Sequence, residues 1–173
     1  MPPASLIDPS RIDCDNIVAD TAAIEAMIPH RHGMRMLDRI VYFNTDEHLI
    51  VGCKDCRHDE FWVQGHMPGY PIFPGVLMCE ASAQLAAYYT KFIGIFGKEL
   101  LGLGGIEEAR FRAPVHPGDR LVLVGKGIRL DRRKTEFIVH GYVGSTMVFN
   151  LKVIGLPIPG HERVAAGANI VGG

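Results

Sequence analysis

The alternation of hydrophobic and polar positions divides the chain into a short helical stretch, two strands, one long apolar stretch and about four further strands. Turn-forming residues separate these stretches, and Gly144-Ser145 joins the last two strands as a hairpin. One helix against a run of antiparallel strands is an α+β arrangement. The predicted elements are a helix over 21–28, strands over 36–43 and 48–53, a helix over 76–95, and strands over 101–111, 120–130, 135–143 and 146–156.

The two predicted helices differ in pattern. In the first, Ile24, Met27 and Ile28 share one face, and Thr21 is placed to cap the N-terminus. The second is rich in Ala, Leu and Met and is apolar on all sides, which predicts a buried central helix.

Length and composition indicate one globular domain. The chain has 173 residues, of which 47% are hydrophobic and 21% charged, and these values suit a packed core. The domain is predicted over residues 21–156, between an extension over 1–20, loosely held or packed on a neighbour, and a tail over 157–173. A formal net charge of −1 gives no global attraction to nucleic acid or to an anionic membrane.

The chain shows no secretory signal and no apolar stretch long enough to span a bilayer, so we expect a soluble, cytoplasmic protein without membrane insertion. The four cysteines are then expected to be free thiols. Cys53 and Cys56, followed by His58, form a lone CxxC pair, which without a second pair is weak support for zinc. We therefore expect no metal site.

Glu80 is the first candidate for chemistry. Its neighbours one helical turn away, such as Val76, Leu77 and Ala83, cannot neutralise a carboxylate. A buried carboxyl group without a cation favours its neutral form, which a general acid requires. The alternative is a glutamate that points to solvent or pairs with a distant arginine.

His66 is the second candidate. An imidazole can accept a proton near neutral pH when hydrogen bonding fixes its tautomer, although a lone loop histidine is more often structural or solvated. Here a proline recurs at every third position of the following loop, which excludes regular helix and holds the backbone at low entropy cost. The three prolines are Pro68, Pro71 and Pro74.

Gly75 and Val76 supply the third element. They lie at the predicted start of the long helix, where N–H groups lack intrahelical acceptors and the macrodipole is positive. A base, an acid and such an oxyanion site together fit removal of water from a β-hydroxyacyl thioester. This reaction needs no metal and no organic cofactor.

These residues resemble the β-hydroxyacyl-acyl-carrier-protein dehydratases of bacterial type II fatty-acid synthesis, the FabZ type, over about residues 28–154. A glutamate at position 80 resembles FabZ, whereas the FabA type has aspartate there. Departures are Met67, Tyr70 and Ser82, where the family usually has Phe, a basic residue and Met. The matching blocks are Ile28-Pro-His-Arg31, Leu37-Asp-Arg39, Gly65-His-Met-Pro-Gly69, Pro71-Ile-Phe-Pro-Gly-Val-Leu77, Glu80-Ala-Ser-Ala-Gln84, Gly105-Ile-Glu-Glu-Ala-Arg-Phe111 and Pro114-Val-His-Pro-Gly-Asp119.

The resemblance implies a hot-dog fold, in which a curved antiparallel sheet wraps one long central helix. It also implies a homodimer whose active sites each take His66 from one subunit and Glu80 from the other, with trimers of dimers as a larger form. Gly75 is implied as the donor to the thioester carbonyl and Gln84 as a residue that orients the acid. The implied partner is an acyl carrier protein that carries the substrate.

Docking of an acidic carrier protein needs a basic surface. The run Arg129, Arg132, Arg133 and Lys134 is one candidate, with a solvated hairpin end as the alternative and with Arg110 and Arg112 as rivals. Two other functions stay open from the residues alone. They are a hot-dog thioesterase that uses Glu80, and a non-catalytic acyl-chain binding protein.

Overall fold

A six-stranded antiparallel sheet encloses one long helix in the computed structural model, which describes residues 3–159. The sheet order is β1-β2-β4-β5-β6-β3. This topology confirms the predicted α+β class and the hot-dog fold. The elements in chain order are α1 (Thr21–Met27), β1 (Arg39–Asn44), β2 (Leu49–Asp55), α2 (Gly75–Phe92), β3 (Leu100–Phe111), β4 (Arg120–Leu130), β5 (Thr135–Val143) and β6 (Thr146–Ile158).

The predicted elements are all present, with differences at their ends. The Gly144-Ser145 hairpin is confirmed between β5 and β6. Helix α2 ends at Phe92, three residues before the predicted end, because Gly94 and Gly97 adopt positive φ angles of 71° and 60°. The tail predicted over 157–173 begins as the end of β6, and residues 160–173 lie outside the described residues.

The prediction that Thr21 caps α1 is wrong. Asp20 is the N-cap, and its carboxylate accepts a hydrogen bond of 2.9 Å from the Ala23 amide. The Thr21 hydroxyl instead donates to the Asp38 carbonyl at 3.1 Å, which ties the helix to the segment before β1.

Helix α2 is the centre of the hydrophobic core. Its residues from Ala81 to Thr90 are all buried, and it packs against strands β2 to β6. Leu85 of the helix lies directly over Gly52 of β2 and Gly125 of β4. This burial agrees with the apolar, unsegregated pattern of the helix sequence.

The extension covers the opposite face of the sheet. Four of its side chains pack on the apolar cluster formed by Val41, Leu49, Val51, Cys53, Val122, Val124 and Tyr142. These four are Leu6, Ile7, Ile12 and Cys14. The described part of the extension therefore packs on the sheet of its own chain.

The two edges of the sheet differ. Ala19 pairs with Ile40 and so covers part of the β1 edge. Strand β3 forms the other edge and is 12 residues long, and within residues 3–159 it pairs only with β6. Leu103 and Phe111 on β3 are 49% and 51% exposed. No helix within the described part of the chain is long and apolar enough to cross a membrane.

Substitution Gly52→Ala is expected to lower the free energy of unfolding by about 1–3 kcal/mol, because overpacking a close helix–sheet contact forces side chains to shift. The added Cβ would lie 2.8 Å from Leu85 Cδ1 and 3.2 Å from Leu37 Cδ2, and both side chains are fully buried. Urea unfolding measures the change. Gly105→Ala is the matched control, since its Cβ would meet nothing closer than 3.6 Å. Equal stability of the two variants would contradict this account of the packing.

Candidate active site

The imidazole of His66 is held in one tautomer by its own loop. Its Nδ1 lies 2.8 Å from the Ile72 carbonyl oxygen. A carbonyl oxygen only accepts, so Nδ1 carries the proton and Nε2 presents a lone pair. Backbone hydrogen bonds of 2.8 Å from His66 to Trp62 and from Ile72 to His66 close the loop around the ring. The loop therefore holds the His66 ring in one orientation, with Nε2 free to accept a proton.

A second imidazole supports the same loop. His116 Nδ1 donates to the Pro71 carbonyl at 3.0 Å, and the Phe73 amide donates to the Val115 carbonyl at 2.7 Å. These bonds fix the Pro71–Ile72 peptide group and the Ile72–Phe73 peptide group, the second of which contains the Ile72 carbonyl. Sequence reasoning gave His116 no role, although it lies within the quoted Pro114–Asp119 block.

The start of α2 leaves two amides free. The Leu77 and Met78 amides both donate to the Pro74 carbonyl, at 2.9 and 3.1 Å. The Gly75 and Val76 amides have no acceptor within residues 3–159. Together with the macrodipole they form a site for a developing negative charge.

Gly75 lies against an aromatic ring. A Cβ at this position would come within 3.0–3.2 Å of the Phe111 ring, so any larger residue would displace that ring. Val76 beside it is 76% exposed. The helix start is therefore open to an incoming group on the Val76 side and bounded by Phe111 on the other.

Glu80 is not surrounded by apolar groups alone, and the expectation drawn from its helical neighbours is wrong in this respect. Its side chain is 23% exposed, and Oε1 lies 2.7 Å from Gln84 Nε2 and 3.3 Å from His30 Nε2. His30 comes from the segment after α1, which only tertiary structure brings to α2. Its position in the block Ile28-Pro-His-Arg31 was the one sequence signal for it.

Gln84 connects the carboxylate to the segment before β1. Its side chain is fully buried, Nε2 also donates to the Met34 carbonyl at 2.7 Å, and Oε1 accepts from the Met36 amide at 2.9 Å. Both amide hydrogens and the amide oxygen thus have partners. Gln84 can therefore hold only one orientation, with a donor facing Glu80.

No hydrogen bond or ion pair joins His66 to Glu80 within residues 3–159. The His66 Nδ1 is bonded to its own loop, whereas Glu80 contacts His30 and Gln84. Within one chain, the candidate base His66 and the candidate acid Glu80 therefore have separate sets of contacts. A substrate that uses both groups needs an arrangement that a single chain does not display.

The CxxC pair does not form a site. Cys56 lies in the main core, whereas Cys53 lies in the cluster on the opposite face of the sheet. Burial raises the pKa of both thiols, that of Cys56 to about 12, so neither is a ready thiolate. All four cysteines carry free thiols. Within residues 3–159, no group of three or more His, Cys, Asp or Glu side chains could hold a metal ion.

The basic hairpin between β4 and β5 is partly neutralised. Arg129 pairs with Asp131 and Lys134 with Glu136, each at 2.7 Å. Arg132 and Arg133 are exposed, and their guanidinium groups have no acidic partner within the described residues, although the Arg133 backbone amide donates to Asp131 Oδ1 at 2.9 Å.

The hairpin is also remote from the helix start. Arg132 lines a groove with residues 94–97, beyond the C-terminal end of α2. A rise of about 1.5 Å per residue places that end roughly 27 Å from Gly75. Arg110 and Arg112 instead flank Phe111, whose ring adjoins Gly75.

Comparisons with known proteins indicate a single family. The model of the FabA-like domain matches residues 28–152. The 3-hydroxyacyl-[acyl-carrier-protein] dehydratase FabZ of Desulfotalea psychrophila is 36% identical over 78% of this chain and 91% of its own length. The FabZ of a Hydrogenobaculum species is 41% identical over 65% and 77%. The dehydratase heterocomplex ApeI:P from Xenorhabdus doucetiae shares the fold, with a TM-score of 0.67 and 15% identity over 83% of this chain and 95% of that one.

Proposed function

Because this chain belongs to the FabA-like domain family, we propose that it is a (3R)-3-hydroxyacyl-[acyl-carrier-protein] dehydratase of type II fatty-acid synthesis. It removes water from the carrier-bound substrate and yields the trans-2-enoyl product. The observation that carries the residue assignment is the 2.8 Å contact from His66 Nδ1 to the Ile72 carbonyl, which leaves Nε2 as a base.

The reaction begins at the carbon next to the thioester carbonyl. His66 Nε2 takes the proton from this carbon, and the carbonyl oxygen gains negative charge. The free Gly75 and Val76 amides at the start of α2 stabilise that charge. Glu80 then gives a proton to the β-hydroxyl group, the carbon–oxygen bond breaks, and water leaves as the double bond forms.

Variants His66→Ala and Glu80→Gln are each expected to lower turnover by at least about 100-fold, since a positioned acid or base contributes about 10²–10⁴ in rate. The assay follows hydration of a crotonyl thioester by loss of enoyl absorbance, together with release of free thiol. Thermal unfolding checks that both variants fold. His58→Ala, at an exposed loop position, is the matched control and keeps wild-type turnover.

Retained turnover in both variants would contradict the assignment. Thiol release by the wild type without any change in enoyl absorbance would show a thioesterase. No reaction in either channel, with acyl chains still bound, would show a binding protein.

We also propose a homodimer with shared active sites. Strand β3 is a long edge strand that exposes Leu103 and Phe111, whereas Ala19 covers part of the opposite edge. A long, uncovered, partly apolar edge favours pairing with another chain. A second copy is the occupant that also supplies the missing half of each site, since His66 and Glu80 do not meet in one chain.

The mixed dimer tests this arrangement. When His66→Ala and Glu80→Gln chains carry different tags and are co-purified, each mixed dimer has one intact and one doubly altered site, so about half of wild-type turnover returns. Each variant alone stays inactive. Absence of any recovery in verified mixed dimers would contradict shared sites. Sedimentation then distinguishes the dimer from a trimer of dimers.

The carrier protein is proposed to dock near the helix start. Arg110 and Arg112 flank Phe111 beside Gly75, whereas the hairpin with Arg132 and Arg133 lies near the far end of α2. An acidic partner would meet the first pair closer to the chemistry.

Reversal of charge in Arg110→Glu/Arg112→Glu is expected to raise the Michaelis constant for carrier-bound substrate about tenfold or more and to spare a short thioester, because only the carrier meets these charges. Arg132→Glu/Arg133→Glu is the matched control and keeps both constants near wild type. Steady-state kinetics on both substrates measure the effect. A selective defect in the hairpin variant alone would move the docking site there, and equal loss on both substrates would indicate damage to the dimer.

A further inference from the structure

We infer that His30 is a positioning residue for the acid, that its Nε2–H group donates to Glu80 Oε1, and that the transferable proton is therefore on Glu80 Oε2. We further infer that one buried water molecule bridges His30 Nδ1 to Thr90 Oγ1. The inference rests on the proposed role of Glu80 as the acid.

The two oxygens of the Glu80 carboxyl group differ in their contacts. Oε1 lies 2.7 Å from Gln84 Nε2 and 3.3 Å from His30 Nε2. Oε2 has no hydrogen-bond partner within residues 3–159. Oε1 already accepts a hydrogen bond from Gln84 and faces the His30 ring, so it is the poorer place for a proton, and the proton of the acid form belongs on Oε2.

The tautomer of the His30 ring follows from its contact with Glu80. If Oε1 carried the proton and gave it to Nε2 as acceptor, the ring proton would be on Nδ1. His30 Nδ1 is buried and has no hydrogen-bond partner among the described residues. Oε1 already accepts from Gln84 and does not carry the proton, so it can only accept from the ring as well, and the ring proton belongs on Nε2, facing Glu80.

The surroundings of the His30 ring determine its charge. Burial lowers the pKa of His30, the Glu80 carboxylate raises it and Arg31 lowers it, with a net decrease. The ring is thus neutral near neutral pH and has a single N–H group to place. Lys91 and Glu99 are the other ionisable groups that line the cavity next to His30.

The cavity next to His30 lies between the segment that carries His30, the second half of α2 and the start of β3. Thr90 also lines it, and the Thr90 hydroxyl is a second buried polar group that has no partner in the part of the chain that the structure describes. The cavity gives about 10 Å³ to the centre of a water-sized molecule, which is the space of one water. A single water can donate to Nδ1 and bond to the Thr90 hydroxyl, and so satisfies both groups.

These bonds have a defined part in the reaction. The Oε2–H bond breaks as its proton joins the leaving hydroxyl oxygen, and the α-proton moves to His66 Nε2. The charge left on Glu80 then lies next to two donors on Oε1. A proton returns from His66 to Glu80 before the next turnover, so acid and base are both restored.

Variants His30→Leu and His30→Phe remove the donor and are expected to lower kcat for hydration of a crotonyl thioester about 10- to 100-fold, the range for a lost hydrogen bond to a charged group. The Michaelis constant is expected to change less than about threefold, because the uncharged substrate complex does not need the bond. His30→Gln keeps an N–H donor and is expected to return kcat to within about fivefold of wild type. The alkaline limb of the pH–kcat profile moves to higher pH in the Leu and Phe variants, since their carboxylate has lost a donor, and moves back in the Gln variant.

Thr90→Val removes the hydroxyl with little change of shape and is expected to lower kcat about 3- to 10-fold, whereas Thr90→Ser keeps wild-type kcat. A crystal structure of the wild type is expected to show one water within 3.5 Å of both His30 Nδ1 and Thr90 Oγ1. An empty cavity, or equal kcat in the Val and Ser variants, would overturn the water bridge.

The outcomes separate the inference from the function on which it rests. Wild-type protein without dehydration or hydration activity would defeat the proposed function. Active wild type with unchanged kcat in His30→Leu and His30→Phe would defeat the role of His30 alone. Loss of kcat in all three His30 variants, with no shift of the pH profile, would assign His30 a structural role and overturn the inference. His58→Leu controls for loss of an exposed histidine.

Discussion

The enclosure of α2 by the antiparallel sheet is the constraint on which the rest of the structure depends. The helix is buried almost throughout its length, and it can lie close to β2 and β4 because Gly52 and Gly125 leave room for Leu85. This contact fixes how the helix lies on the sheet and therefore which of its side chains reach the surface. Both the free amides at Gly75 and Val76 and the carboxylate of Glu80 take their positions from it.

Around this fixed helix, the polar groups of the site are held by buried and partly buried hydrogen bonds and not by charge alone. Gln84 uses every donor and acceptor of its amide to join Glu80 to the segment before β1. His66 and His116 donate to adjacent carbonyls of the proline-rich loop. Neutral groups that each have a single permitted orientation preorganise a site without the desolvation cost of buried ions.

The two faces and two edges of the sheet have different roles. One face carries α2 and the chemistry, and the other carries the N-terminal extension. Ala19 covers part of one edge, whereas β3 leaves the other available to a second copy. The same edge ends at Phe111, next to the start of α2, so the proposed dimer contact and the proposed active site are adjacent.

The sequence by itself determined the order and type of the elements, because hydrophobic periodicity, glycines and prolines act locally. It also indicated His66, Gly75 and Glu80, since a histidine in a proline loop and a carboxylate in an apolar helix are visible as short patterns. Only the tertiary structure decided what surrounds them. His30 and Gln84 are 54 positions apart, yet both contact Glu80, and no local pattern encodes such a contact. The contact of Glu80 with His30 and the bond from His116 to the proline-rich loop were not predicted, and for the same reason. Packing between distant segments decides which groups become hydrogen-bond partners.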